Sequence, residues 1–198
     1  MKATQASFRP GLDSSGFTMV ELMVALAMAT FFIAVTFTMV DFSSQSYRAQ
    51  ERVVDVQQDM RAALNFIARD IRMAGYDPMR GSGAAIVAAD GASLRFTADL
   101  NRSNTVDEAA EEQVTYAYNA ANQTLDRILY QGTGSETAPV TLIENVSAFA
   151  FAYQDADDAN TAGATARVVR ISITCQDRDA KGQTFARTLN AVIKCRNL

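Results

Sequence analysis

SGFTMVELMVALAMATFFIAVTFTMV, residues Ser15 to Val40, is the stretch that decides how this chain folds. From Phe17 to Val40 it runs 24 residues without a Gly or a Pro, and Glu21 is its only charge. About 20 apolar residues span the core of a bilayer as a helix, so the stretch reads as a membrane span. An acid at membrane depth costs roughly 2.5–3.5 kcal/mol on insertion scales, and it therefore marks a functional position.

The residues before the span are short and polar, with Lys2 and Arg9 against Asp13. A secretory signal places its small-residue cleavage site after the apolar core. Here the small residue, Gly16, stands before it. Cutting there would remove a polar leader and keep the hydrophobic helix.

Gly16, Phe17, Thr18, Met19, Val20, Glu21 and Leu22 together resemble the processing motif of type IV prepilins and type II secretion pseudopilins. The resemblance implies cleavage by prepilin peptidase between Gly16 and Phe17, then N-methylation of Phe17. It implies an assembly role for Glu21, whose carboxylate would meet the Phe17 amine of an adjacent subunit inside a filament. Within a mature helix Phe17 and Glu21 would be residues i and i+4, on one face. An ordinary signal anchor that happens to carry this motif is the bland alternative.

From Phe17 to Ala74 there are 58 residues without Gly or Pro, which favours one unbroken helix. Its character changes near Asp41. Beyond it, Val53, Val56, Met60, Ala63, Leu64, Ile67, Ile71 and Ala74 recur in steps of three and four, one helical stripe. Gly75 is the expected C-cap, with Pro78 three residues on. The segment Ala68–Pro78, ARDIRMAGYDP, resembles the helix end of PilW-type minor pilins and, more distantly, of J-type pseudopilins. The ending RTLNAVIKCRNL resembles the PilW type again.

After the loop 79–83 the chain reads as strands: 84–89, 94–97, 113–118, 125–130, 140–143, 146–153, 167–175 and 185–195. Asp90-Gly91 is a hairpin signal between the first two. Tyr116, Tyr118, Phe149, Phe151 and Tyr153 fall at period two and read as sheet core. The expected fold is α+β and pilin-like: a long N-terminal helix whose amphipathic half packs on an antiparallel sheet. The expected segments are a leader 1–16, a transmembrane and assembly half 17–42, and a periplasmic globular part 43–198, with helix 43–74 and β region 84–195.

Composition excludes several chemistries. The chain has no His, which rules out Ser-His-Asp and Cys-His pairs and His-ligated metal sites. Net charge is −4, and becomes −5 once Lys2, Arg9 and Asp13 leave with residues 1–16. That acidity argues against a general nucleic-acid-binding surface, and no specific nucleic acid is expected. A signal-anchored periplasmic enzyme is the competing class, without a nucleophile constellation to support it; the chain is not expected to be an enzyme.

Cys175 and Cys195 are the only cysteines. Beyond a membrane anchor, in an oxidising compartment, such a pair suggests a disulfide. A simple hairpin turning at 177–182 opposes this, because it would leave Cys195 about 33 Å from Cys175. Two free thiols are the alternative. Asp99, Asn101, Ser103, Thr105 and Asp107 alternate as in the first nine positions of an EF-hand loop. Asn104 stands where glycine is required and Ala110 holds position twelve, so the loop reads as solvated, with calcium its alternative. Asp155, Asp157, Asp158 and Asn160 form a weaker candidate.

The resemblance implies a minor pilin that takes part in initiating a type IV pilus, or a J-type pseudopilin of type II secretion. Its implied partners are prepilin peptidase, the inner-membrane assembly platform, and other major and minor pilins through the helix. Its implied location is the bacterial inner membrane, single-pass, with the globular part in the periplasm and then on the pilus at the cell surface.

Overall fold

The computed structural model describes residues 16–108, 110–155, 157, 159–161, 163–178 and 182–198. Residues 1–15 of the expected leader, Asp158, and residues 179–181 of the expected last turn lie outside these. The chain divides into two compact units, 1–46 and 47–198.

Helix α1 runs Met19–Met73. In the first unit its side chains are exposed from Met19 to Phe42, including Phe31, Phe32, Ile33 and Phe37. Its hydroxyls are satisfied inside the helix: Thr30, Thr36 and Thr38 donate to the carbonyls of Ala27, Phe32 and Val35 at 2.8–2.9 Å. A hydroxyl bonded to the preceding turn presents no orphan donor to an apolar surround.

In the second unit the predicted stripe is the buried face. Met60, Ala63, Leu64, Ile67, Ile71 and Ala74 are all buried, while Val53 and Val56 are half-buried. They pack on strands β1 (Ile86–Ala89), β2 (Ser93–Thr97), β3 (Gln113–Asn119), β4 (Thr124–Leu129), β5 (Val140–Ile143), β6 (Val146–Gln154), β7 (Val168–Arg178) and β8 (Thr184–Lys194). This is the expected α+β arrangement, a long N-terminal helix packed on antiparallel β-structure. The strands form two sheets rather than one: β1-β2-β3-β4-β5 and β6-β7-β8, each antiparallel between neighbours.

The break between sheets falls at β5 and β6, joined only by Glu144 and Asn145, with Asn145 at φ 59°. A left-handed residue there turns the chain out of the first sheet's plane. The sheets remain stitched: the Val146 amide donates to the Gln123 carbonyl at 2.8 Å and the Phe151 amide to Gly91 at 2.8 Å. Tyr153 Oη donates toward the Asp90 and Ser93 carbonyls at 2.8 and 3.1 Å. Leu94, Tyr116, Leu125, Phe151, Val169, Ile171 and Ile173 from both sheets share one core with the helix stripe.

The expected aromatic face is core. Tyr116 is fully buried, and its hydroxyl donates to Asp70 Oδ2 on the helix at 2.6 Å. Burial, with the Asp70 carboxylate beside it, holds that phenol protonated far above its ordinary range. Arg127 closes the group, 3.4 Å from Asp70 and 3.0 Å from Glu111.

Candidate processing and assembly site

The motif residues sit at the start of α1. Gly16 and Phe17 precede the helix and are exposed, and a Cβ built on Gly16 would meet no atom within 4 Å. Among the described residues nothing crowds the bond between them. Thr18 is the N-cap: its Oγ1 accepts the Glu21 amide at 3.2 Å, and its carbonyl accepts the Leu22 amide at 3.1 Å. Thr18 and Glu21 are spaced as Ser/Thr-x-x-Glu, the capping-box pattern. The sequence carried that signal, and the expectation built on the motif did not use it.

With residues 1–16 attached, Phe17 stands outside the helix at the position before the cap. The i and i+4 expectation for Phe17 and Glu21 concerns the mature helix, which would begin at Phe17. Glu21 lies in the first turn, where the positive end of the helix dipole favours a carboxylate. It forms no ion pair with a described residue. Residues 19–42 around and beyond it belong to a helix long and apolar enough to cross a membrane.

The cysteines are brought into one core cluster without being joined; both are buried free thiols. No disulfide joins them, which is the alternative that a simple hairpin favours, and register explains why. Along the β7–β8 hairpin Cys175 pairs with Arg187 and Val168 with Lys194, so Cys195 lies beside Arg167, where its amide donates to the Arg167 carbonyl at 2.8 Å. Eight residues of strand, roughly 27 Å, separate that point from Cys175. Burial pushes each thiol up to about 11, aided at Cys175 by the charge of Asp59.

The 99–107 loop is organised by carboxylates that accept backbone amides. Asp99, fully buried, takes the amides of Ser103 and Asn104 at 3.0 Å each. Glu112, nearly as buried, takes those of Leu100, Asn101 and Asp107 at 2.7–3.0 Å. Asn101 and Ser103 bond instead to Asp107, and Ser103 to Thr105. No group of three or more His, Cys, Asp or Glu among the described residues is placed to hold a metal ion.

The helix end and the last residues meet. Gly75, at φ 74°, has no room for a side chain: a Cβ there would lie 2.4 Å from Leu198 Cδ2 and 2.9 Å from the Asn197 carbonyl. Asn197 Nδ2 donates to the carbonyl of Arg72, one of the acceptors that a helix leaves open at its C-terminus.

No curated protein matches this chain. A family model described as prepilin peptidase-dependent protein B matches residues 49–195. That match covers the amphipathic half of the helix and both sheets, and it does not include the Gly16–Leu22 motif. Since it spans well over half of the sequence, the chain belongs to the prepilin peptidase-dependent protein B family and is a protein of pilin or pseudopilin type.

Proposed function

We propose that this protein is a minor pilin of the PilW type that takes part in initiating a type IV pilus. The observation that carries the proposal is an exposed Gly16–Phe17 pair at the start of an exposed apolar helix, in a chain whose family match lies wholly outside that motif. Two separate parts of the sequence thus support one reading. Prepilin peptidase would cut after Gly16 and methylate Phe17, and the chain itself would catalyse nothing. The span 17–42 would hold it in the inner membrane with 43–198 in the periplasm, where the assembly platform and other pilins would engage the helix.

Cleavage removes the residue preceding Phe17 and leaves a cationic amine near the cap. The Glu21 carboxylate, which forms no ion pair with a described residue, is then available to the amine of an adjacent subunit. Buried among apolar helices, a lone carboxylate is tolerable only when paired, so this contact would set axial register. Substituting Glu21→Ala should leave cleavage intact and deplete the protein from sheared filaments by at least about tenfold, the effect of roughly 1.4 kcal/mol. Undiminished incorporation of that variant would remove Glu21 from the mechanism.

The J-type pseudopilin of type II secretion uses the same motif and helix. The processed species confined to the membrane fraction, and absent from surface filaments, would favour it.

A further inference from the structure

Sheet edges are where a β-protein is open to another chain, and native folds blunt them with short strands, bulges or cover. Three of the edges here are managed in that way. Strand β1 has 4 residues, breaks register between Ile86 and Ala88, and is met by the 3-10 turn Gly163–Thr165. The turn comes so close that a Cβ on Gly163 would lie 1.9 Å from that of Ala89. Strand β5 also has 4 residues and a register break against β4. The outer side of β6 is bonded to the carbonyls of Gln123 and Gly91.

Strand β8 is not short, bulged or, among the described residues, covered; its one guard is the positive charge of Arg187 and Lys194, which opposes pairing with like-charged chains. The strand is 11 residues long, contains no Gly or Pro, and pairs with β7 through eleven consecutive positions without a bulge. Among the described residues its backbone has no partner beyond β7. Most of its side chains are exposed, Val192 at 54%. Residues 183–198 carry Arg187, Lys194 and Arg196 and no acid, in a chain of net charge −4. None of the three forms an ion pair with a described residue.

We infer that the outer edge of β8 is a strand-pairing interface for an acidic extended segment of another polypeptide. Main-chain bonds along the edge supply the pairing, and side chains set the choice of partner. Charge selects the occupant: a second copy of β8 would bring like charges to the same seam, whereas carboxylates opposite Arg187 and Lys194 form favourable cross-strand pairs. The inference does not depend on whether the protein enters a pilus or a secretion apparatus.

The test uses the full chain in detergent micelles and three synthetic peptides of about ten residues, enough to pair along most of the strand. The peptides share one apolar-rich sequence and differ only in Glu, Gln or Lys at the two positions that face Arg187 and Lys194, which are seven residues apart and so lie on opposite faces of the strand. The Glu peptide should bind about tenfold more tightly than the Gln peptide. It should also slow amide exchange across 184–194. The double change Arg187→Glu with Lys194→Glu should reverse the preference toward the Lys peptide.

Asn190→Pro and Ala191→Pro form a second test, because of two adjacent residues one directs its N–H outward. One of them should abolish binding while leaving the unfolding midpoint near that of the parent. Equal binding of the three peptides overturns the inference, as does Glu-peptide binding without protection of 184–194. Protection of those amides by self-association alone would overturn the choice of partner.

Discussion

Asn197 Nδ2 lies 3.1 Å from the carbonyl oxygen of Arg72, although the two residues are 125 positions apart. The bond joins the segments ARDIRMAGYDP and RTLNAVIKCRNL, and the second covers the end of the helix formed by the first. Gly75→Ala should therefore be costly, since φ 74° disfavours a side chain and the new Cβ meets the Asn197 backbone. A loss of about 2–3 kcal/mol is expected, a fall of roughly 4–12 °C in unfolding midpoint. Asn197→Ala should cost about 1 kcal/mol. Thermal unfolding of both variants checks the pair, and an unchanged midpoint for Gly75→Ala would show that the contact does not hold the helix end.

The Tyr116–Asp70 bond ties the first sheet to the helix, from a phenol with no exposure. Tyr116→Phe keeps the ring and removes the donor to a carboxylate, with an expected loss of about 1.5–3 kcal/mol by denaturant titration. A loss within experimental error would mean that Arg127 alone satisfies Asp70.

The buried thiols make a pH prediction. Both folded-state values are raised to about 11 from an ordinary 9.0, so folding favours the protonated form. Their contribution is fully present below pH 9 and is lost as pH rises toward 11. The stability difference between the parent and a Cys175→Ala, Cys195→Ala double variant should be constant from pH 6 to 8 and shrink above about pH 9. A difference independent of pH up to 11 would contradict the burial of these thiols. Without reductant, neither should form an intramolecular disulfide in the folded chain.

Thr18 should matter locally. Thr18→Ala removes the acceptor for the Glu21 amide. The loss of about 1 kcal/mol corresponds to roughly fivefold faster amide exchange over the first turn, with no change beyond residue 30. Exchange rates equal to the parent's would mean that the cap is not formed in solution.

Local signals carried much of this fold. The step of three and four from Val53 to Ala74 marked the buried face, and the alternation around Ile171 marked β7. Each depends only on neighbours along one element. The division into two sheets was not legible, because it turns on a left-handed residue, Asn145, that no alternation reveals. The separation of the two cysteines was legible, since a simple hairpin turning at 177–182 already set them far apart, and the register of β7 against β8 has that form. The cap at Thr18 was legible from its spacing to Glu21. The contact of Asn197 with Arg72 was not, since nothing in either segment alone points to the other.

The central claim is processing at Gly16, and the most direct measurement is the mass of the N-terminal peptide from the native cell, taken from sheared surface filaments and from membranes. The account predicts a chain that begins with N-methyl-Phe17 and is present in the filaments. A chain still beginning at Met1, from cells with active prepilin peptidase, would contradict it.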